Sequence, residues 1–171
     1  MEKIMPADLY KLMDKKVDHL TIAFDRYSEG IIEPVILERR ILHISMGLEA
    51  LFSNSETELS FRLTYRISKA LSCLGINPLD AKIFIKEAYN IRSKFAHGSP
   101  LSLDQHKKLD GIGGEKMFLS TMANYLRILI LAAIICKLKK KNLINLIDDS
   151  FLDAQKESEL KMLLSAALPY I

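Results

Sequence analysis

The sequence predicts an all-α bundle. Three observations carry that prediction. Apolar residues recur at three- and four-residue intervals along most of the chain, and no segment alternates convincingly as a strand. Glycine (7) and proline (5) are scarce among the 171 residues, and most fall where a helical pattern starts or stops. The connections between periodic segments are short, so neighbouring helices are expected to pack antiparallel. A chain of this length forms one domain and buries a core without disulfides or metals.

The elements follow in order. The first helix is expected from Pro6 to Tyr27, with Leu9, Leu12, Met13, Val17, Leu20 and Phe24 on one side, and Ser28-Glu29-Gly30 ends it. The second runs from Pro34 to Phe52, with Ile41, Leu42, Ser45, Leu48 and Phe52 at helical spacing. Ser55-Glu56-Thr57-Glu58 has the S-x-x-E pattern of a capping box and opens the third helix. Its buried stripe is Leu59, Leu63, Ile67, Ala70 and Leu74, and Gly75 stops it. Asn77-Pro78 then caps and opens a fourth helix, which Gly98-Ser99-Pro100 closes. Ser102-Leu103-Asp104-Gln105 caps a short helical turn, and Asp110-Gly111-Ile112-Gly113-Gly114 is a loop. A fifth long helix spans Glu115 to Lys140. The tail reads as two shorter helices, Leu143–Asp148 and Phe151–Leu168.

Composition sets bounds on function. The net charge of +3 permits a nucleic-acid partner without demanding one. Cys73 and Cys136 lack metal-ligand spacing and lie in apolar helical patterns, which reads as buried free thiols in a reducing cytoplasm. The N-terminus carries no apolar signal segment. The apolar run Tyr125–Leu138 is interrupted by Arg127 and falls short of the roughly 20 residues a bilayer span needs. A core helix is expected there, and no membrane partner.

The chemistry concentrates in Tyr89-Asn90-Ile91-Arg92-Ser93-Lys94-Phe95-Ala96-His97-Gly98. On a helical wheel Ala81, Phe84, Ala88, Ile91 and Phe95 make one arc, the expected core face. Tyr89, Arg92, Ser93, Ala96 and His97 make another, roughly 140° away. Arg92 is a permanent cation with a planar fork of donors suited to phosphate. His97 carries an imidazole that suits general acid–base work near neutral pH. Ser93 would orient the imidazole or donate to a phosphate oxygen. Tyr89 would stack on a base or cover the site. The plain alternative is a histidine that merely ends a helix and an arginine that merely pairs with an acid.

Other groups read less sharply. Arg62 and Arg66, at i and i+4, would add a phosphate track or pair with acids such as Glu49 and Glu58, and Lys94 is a further candidate contact for an RNA phosphate. Lys137, Lys139, Lys140 and Lys141 form the strongest basic run, at a helix end where the dipole favours cations in any case. Glu38-Arg39-Arg40 reads as a solvated face. His19, His43 and His106 lack ligand partners, and Asp148-Asp149 reads as a helix-end turn, so no metal site is expected.

The chain resembles the HEPN superfamily (higher eukaryotes and prokaryotes nucleotide-binding domains), and within it the Apea-like group. Arg92-x4-His97 is similar to that superfamily's R-x(4–6)-H motif. Leu48-Glu49-Ala50-Leu51, then Arg62-Leu63-x-x-Arg66-Ile67-x-x-Ala70, then Tyr89 through Gly98, and the tail Leu143–Leu152, follow the group's order. The resemblance covers roughly residues 34–152, with 1–33 an N-terminal helix and turn and 153–171 a C-terminal helix. It implies an antiparallel HEPN-like bundle that dimerises with two motifs facing each other. It implies a metal-independent endoribonuclease without cofactors, in a toxin–antitoxin or defence setting, with Arg92 and His97 catalytic. A cognate antitoxin or other protein partner goes with that setting. It equally accommodates a non-catalytic module that binds RNA, a nucleotide or a protein through the same groove.

Overall fold

The computed structural model describes residues 18–32, 36–54, 59–137 and 139–171. Among them the protein is all-helical, with eight α-helices and no strand. These are α1 (His19–Ile32), α2 (Leu37–Phe52), α3 (Leu59–Cys73), α4 (Pro78–Ala96), α5 (Leu103–Gly111), α6 (Gly114–Cys136), α7 (Lys140–Asp149) and α8 (Ala154–Ser165), followed by a 3-10 turn at Leu168–Tyr170. The expected start of the first helix (Pro6–Val17) and the Ser55–Glu58 capping box lie outside the described residues.

Helix α6 is the hub. It buries Phe118, Met122, Leu126 and Leu129 among others, and packs against α1, α2, α3, α4, α5 and α8. By length and composition it could cross a membrane; here more than half of its apolar stretch is buried inside the protein. Its second half, surrounded by other helices, is apolar nearly all round, while Glu115, Lys116, Ser120 and Asn124 in its first half stay exposed.

Helix α1 does not stop at Gly30 but continues to Ile32. Gly30 is there for contact. A Cβ on it would lie 2.8 Å from Ile44 Cγ1, and one on Gly47 would lie 2.6 Å from Leu126 Cδ2. Missing side chains at these two points let α1, α2 and α6 approach closely. Gly30 lies beside Ile44, and Gly47 beside the Ala23 carbonyl, so α1 and α2 run antiparallel. Arg40 Nε donates to the Gly30 carbonyl at 2.8 Å and so caps the end of α1. Arg40 is therefore more than part of a solvated charge patch.

The caps expected from sequence form at two helices. Asn77 Oδ1 accepts from Leu79 N and Asp80 N at the start of α4. Ser102 and Gln105 make a reciprocal capping box at α5. The long fifth helix, however, ends at Cys136 rather than Lys140, because Lys137 turns left-handed (φ 50°). The tail helices shift accordingly: α7 begins at Lys140, and α8 begins after Asp153, whose carboxylate accepts from Gln155 N at 2.7 Å. Phe151 and Leu152 lie in the α7–α8 turn, not in a helix. Both cysteines are free thiols; Cys73 is buried and Cys136 half-buried, its Sγ donating to the Leu163 carbonyl.

Candidate functional site

Helix α4 lies between α2 and α3 and also touches α6. Neighbours on several sides bury far more of it than one apolar stripe. Of the expected core arc, Ala81, Ala88 and Ile91 are fully buried, while Phe84 and Phe95 are half-buried. Tyr89 is buried as well, at 5% exposure, against the expectation that it faces outward with the arginine. A stacking or covering role at the surface is thereby lost to it; α2 covers the flank that a lone helix would have left open.

What Tyr89 meets there is Glu49. The carboxylate sits on the last turn of α2 and faces Arg92. Arg92 Nη2 is 3.2 Å from Glu49 Oε1 and 3.4 Å from Oε2, with only the second in hydrogen-bond geometry. Burial pushes the Glu49 carboxyl up from its ordinary value, and the Arg92 charge and the Tyr89 hydroxyl pull back against that rise. Burial and the Glu49 charge push the Tyr89 phenol well above its usual range, so it stays protonated. Three buried polar atoms in this cluster, Glu49 Oε1, Tyr89 Oη and Arg92 Nε, lack a well-formed hydrogen bond. Such groups are costly inside a protein, and their gathering at one point is a mark of functional sites.

Arg92 remains about one-third exposed at the side chain, and Nη1 makes no hydrogen bond among the described residues. The guanidinium is thus held along one edge and open along another. Five residues further on, His97 is the C-cap of α4, with its backbone N–H on the Ser93 and Lys94 carbonyls. Its side chain is exposed, as is Ser93. Gly98 follows at φ +67°, a left-handed conformation that ends the helix where sequence placed the stop. Lys94 is half-buried in the same turn. The exposed end of α4 therefore carries Arg92, Ser93, Lys94 and His97 on its last two turns.

Arg66 is placed differently from Arg62. It is buried, forks onto Asp148 through Nε (2.7 Å) and Nη2 (2.6 Å), and gives Nη1 to the Phe52 carbonyl and Asn54 Oδ1, each at 2.9 Å. This guanidinium ties α3 to α7 and to the end of α2; every one of its nitrogens is engaged. Its acid is Asp148 rather than Glu49 or Glu58, so Asp148 is more than a helix-end turn residue. Arg62 is half-buried and lines an open pocket beside it.

No protein-family model, curated protein or solved structure matches the chain. The site therefore has to be read from its own chemistry. No group of three or more His, Cys, Asp or Glu side chains that could hold a metal occurs among the described residues. His43 Nδ1 instead lies 2.9 Å from Glu29 Oε2, and His106 Nδ1 lies 3.8 Å from Glu115.

Sequence reasoning named Glu49 inside a motif and as a candidate partner of Arg62 and Arg66, and did not pair it with Arg92. It also passed over Phe61, Tyr65 and Phe151, which gather around the Arg66–Asp148 pair. A signal was available for the first two. Phe61 and Tyr65 share the i, i+4 spacing of Arg62 and Arg66, which puts rings and guanidinium groups on adjoining faces of α3.

Proposed function

We propose that the protein is a metal-independent endoribonuclease of the HEPN type, acting as a homodimer, with Arg92 and His97 as its catalytic pair. The observation that carries this reading is the state of Arg92. The half-buried Glu49 carboxylate, beside the buried Tyr89, holds Nη2 of its guanidinium, while Nη1 stays open at the exposed end of α4 that bears His97. Fixing a donor before the substrate arrives is what transition-state stabilisation requires.

The chemistry then runs as follows. His97 of one subunit takes the proton from the RNA 2′-hydroxyl, whose oxygen attacks the adjacent phosphorus. Arg92 stabilises the added negative charge on the phosphoryl oxygens. The 5′-oxygen leaves with a proton from the other subunit's imidazole. The products are a 2′,3′-cyclic phosphate and a 5′-hydroxyl. DNA lacks the nucleophile. Two copies meeting across a two-fold axis would supply both the acid and the base. Ser93 and Lys94, on the same turns, would contact the flanking phosphates. In this reading the protein belongs to the cytoplasm, in a toxin–antitoxin or defence system with a cognate protein partner.

The test is RNA cleavage in EDTA by wild type, Arg92→Ala and His97→Ala, with gel filtration across concentrations. Cutting that survives EDTA and is lost in both variants supports the proposal, as does a dimer. Equal cutting by all three proteins overturns it. The second reading, a non-catalytic RNA-binding module, is favoured by the Glu49 carboxylate, which partly neutralises Arg92. RNA binding without cutting, weakened in Arg92→Ala, would select it.

A further inference from the structure

A separate pocket of about 560 Å³ opens between α3, the segment after α2 and the α7–α8 turn, and none of the residues at the end of α4 lines it. Its rim is aromatic. Tyr65 is the centre of the cluster. Phe61 stands 4.6 Å from it, Phe151 meets it edge-on at 6.5 Å, and Lys82 Nζ lies 4.7 Å over its ring. With these neighbours Tyr65 holds the other two rings in place more than it offers a face of its own. Phe61 and Phe151 stay open to water, at 63% and 47% exposure. Two large rings left exposed side by side forgo hydrophobic stabilisation, and an exposed apolar patch of this kind marks a place of binding.

The charges around the rings narrow the kind of ligand. Lys69 Nζ lies 5.5 Å from the centre of Phe151 and Lys82 sits over Tyr65, so ammonium groups already take ring faces that would attract a cationic ligand. Asp148 is neutralised by Arg66, and Lys69 pairs with Glu157. Lys82 makes no salt bridge among the described residues; its Nζ donates to the Tyr65 hydroxyl at 3.1 Å. Arg62 lines the same pocket. Arg62, Arg66, Lys69 and Lys82 thus outnumber Asp148 and Glu157, a balance that suits an anion. The floor of the pocket does not read a base edge. Arg66 takes both oxygens of Asp148 and also Asn54 Oδ1, so these acceptors are spent inside the protein. What remains for recognition is ring faces beside positive charge, and stacking on a ring tolerates every base.

We propose that this pocket is a stacking site for single-stranded nucleic acid. Bases of any identity lie on Phe61 and Phe151, and the backbone phosphates pass beside Lys82 and Arg62. Paired strands are excluded because their base faces are covered by their neighbours. The site shares with the nuclease reading only the class of ligand and uses none of the residues of that centre. On a ribonuclease it would grip the substrate strand away from the bond that is cut.

The experiment is fluorescence anisotropy of the full chain with labelled single strands of about 12 nucleotides, oligo-dA and oligo-dT, and with the duplex they form. DNA lacks the 2′-hydroxyl, so binding is read without cleavage, and a failed nuclease assay and a failed titration are separate results. Both single strands should bind, and the duplex about tenfold more weakly. Phe61→Ala, at an exposed position, should weaken binding of either strand about tenfold with an unchanged salt slope, because it removes a stacking contact and no charge. Lys82→Ala should lower that slope by about 0.7, the share of one phosphate on a single strand. The chain has no tryptophan, so Phe61→Trp places a lone reporter at the site. That variant should keep its affinity, and its emission should be quenched as a base stacks on the indole. Equal binding of duplex and single strand, no single-strand binding at millimolar protein, full binding by Phe61→Ala, or unquenched emission from strand-saturated Phe61→Trp would overturn the proposal. Self-association of the chain that Phe61→Ala abolishes, with no strand bound, would overturn it too and assign the rings to a second copy.

Discussion

Arg92 on α4 reaches across 43 residues of sequence to Glu49 on α2, and the pair sits on the buried hydroxyl of Tyr89. One turn beyond Glu49, the Phe52 carbonyl and Asn54 hold Arg66. The C-terminal end of α2 thus positions two guanidinium groups with different fates. Arg92 keeps an open edge; Arg66 has none.

Glu49 gives a pH signature. Its folded carboxyl titrates above its ordinary value of 4.5, because burial outweighs the Arg92 charge. The native state therefore holds this proton more tightly than the unfolded chain does. The stability it contributes is complete below the unfolded value and is lost as pH rises through the raised one. Glu49→Gln removes that titration. Melting curves from pH 4 to pH 7 should show the variant gaining on the wild type as pH rises. A constant difference across that window would mean that the carboxyl is not raised.

His97→Ala should cost little stability. The side chain is exposed, and only its backbone joins the helix end. A change of about 0.5 kcal/mol or less is expected, or roughly 1–2 °C in Tm. Scanning calorimetry checks this. A fall of several degrees would show that the imidazole is a structural cap instead.

Arg66→Ala should cost about 2–4 kcal/mol, because it strips the Phe52 carbonyl and Asn54 of their donor and leaves Asp148 without its partner. Arg66→Lys should recover only part of this, since an ammonium cannot fork onto both oxygens of Asp148 and still reach α2. Urea unfolding of the three proteins measures the difference. A surface-like loss of about 0.5 kcal/mol or less, the scatter of exposed sites, would contradict the buried geometry.

Lys137→Gly should stabilise the protein. Lys137 ends α6 in a left-handed conformation that costs an L-residue about 1 kcal/mol and costs glycine far less. A gain of about 0.5–1 kcal/mol in denaturant unfolding is expected. A loss would mean that the lysine side chain makes a compensating contact.

Local patterns were enough for the helices and their caps. Asn77-Pro78, the Ser102–Gln105 box and Gly98 act within one turn of chain, so their residues settle the outcome alone. The apolar stripes of α2 and α3 were equally legible, because burial of a stripe needs only some neighbour. Gly30 was misread as a stop because a glycine that ends a helix and one that admits a neighbouring helix look alike in sequence. The difference lies in Ile44, 14 positions away.

The sequence by itself determined an all-helical chain, with Arg92, Ser93, Lys94 and His97 crowded onto the last turns of one helix. Only the tertiary structure decided that α2 covers the Tyr89 flank, that Glu49 grips Arg92, and that Arg66 is spent on Asp148. Periodicity reports how one helix divides its surface between apolar and polar. Which partner meets each polar side chain depends on how several helices pack, and that is a property of the whole core.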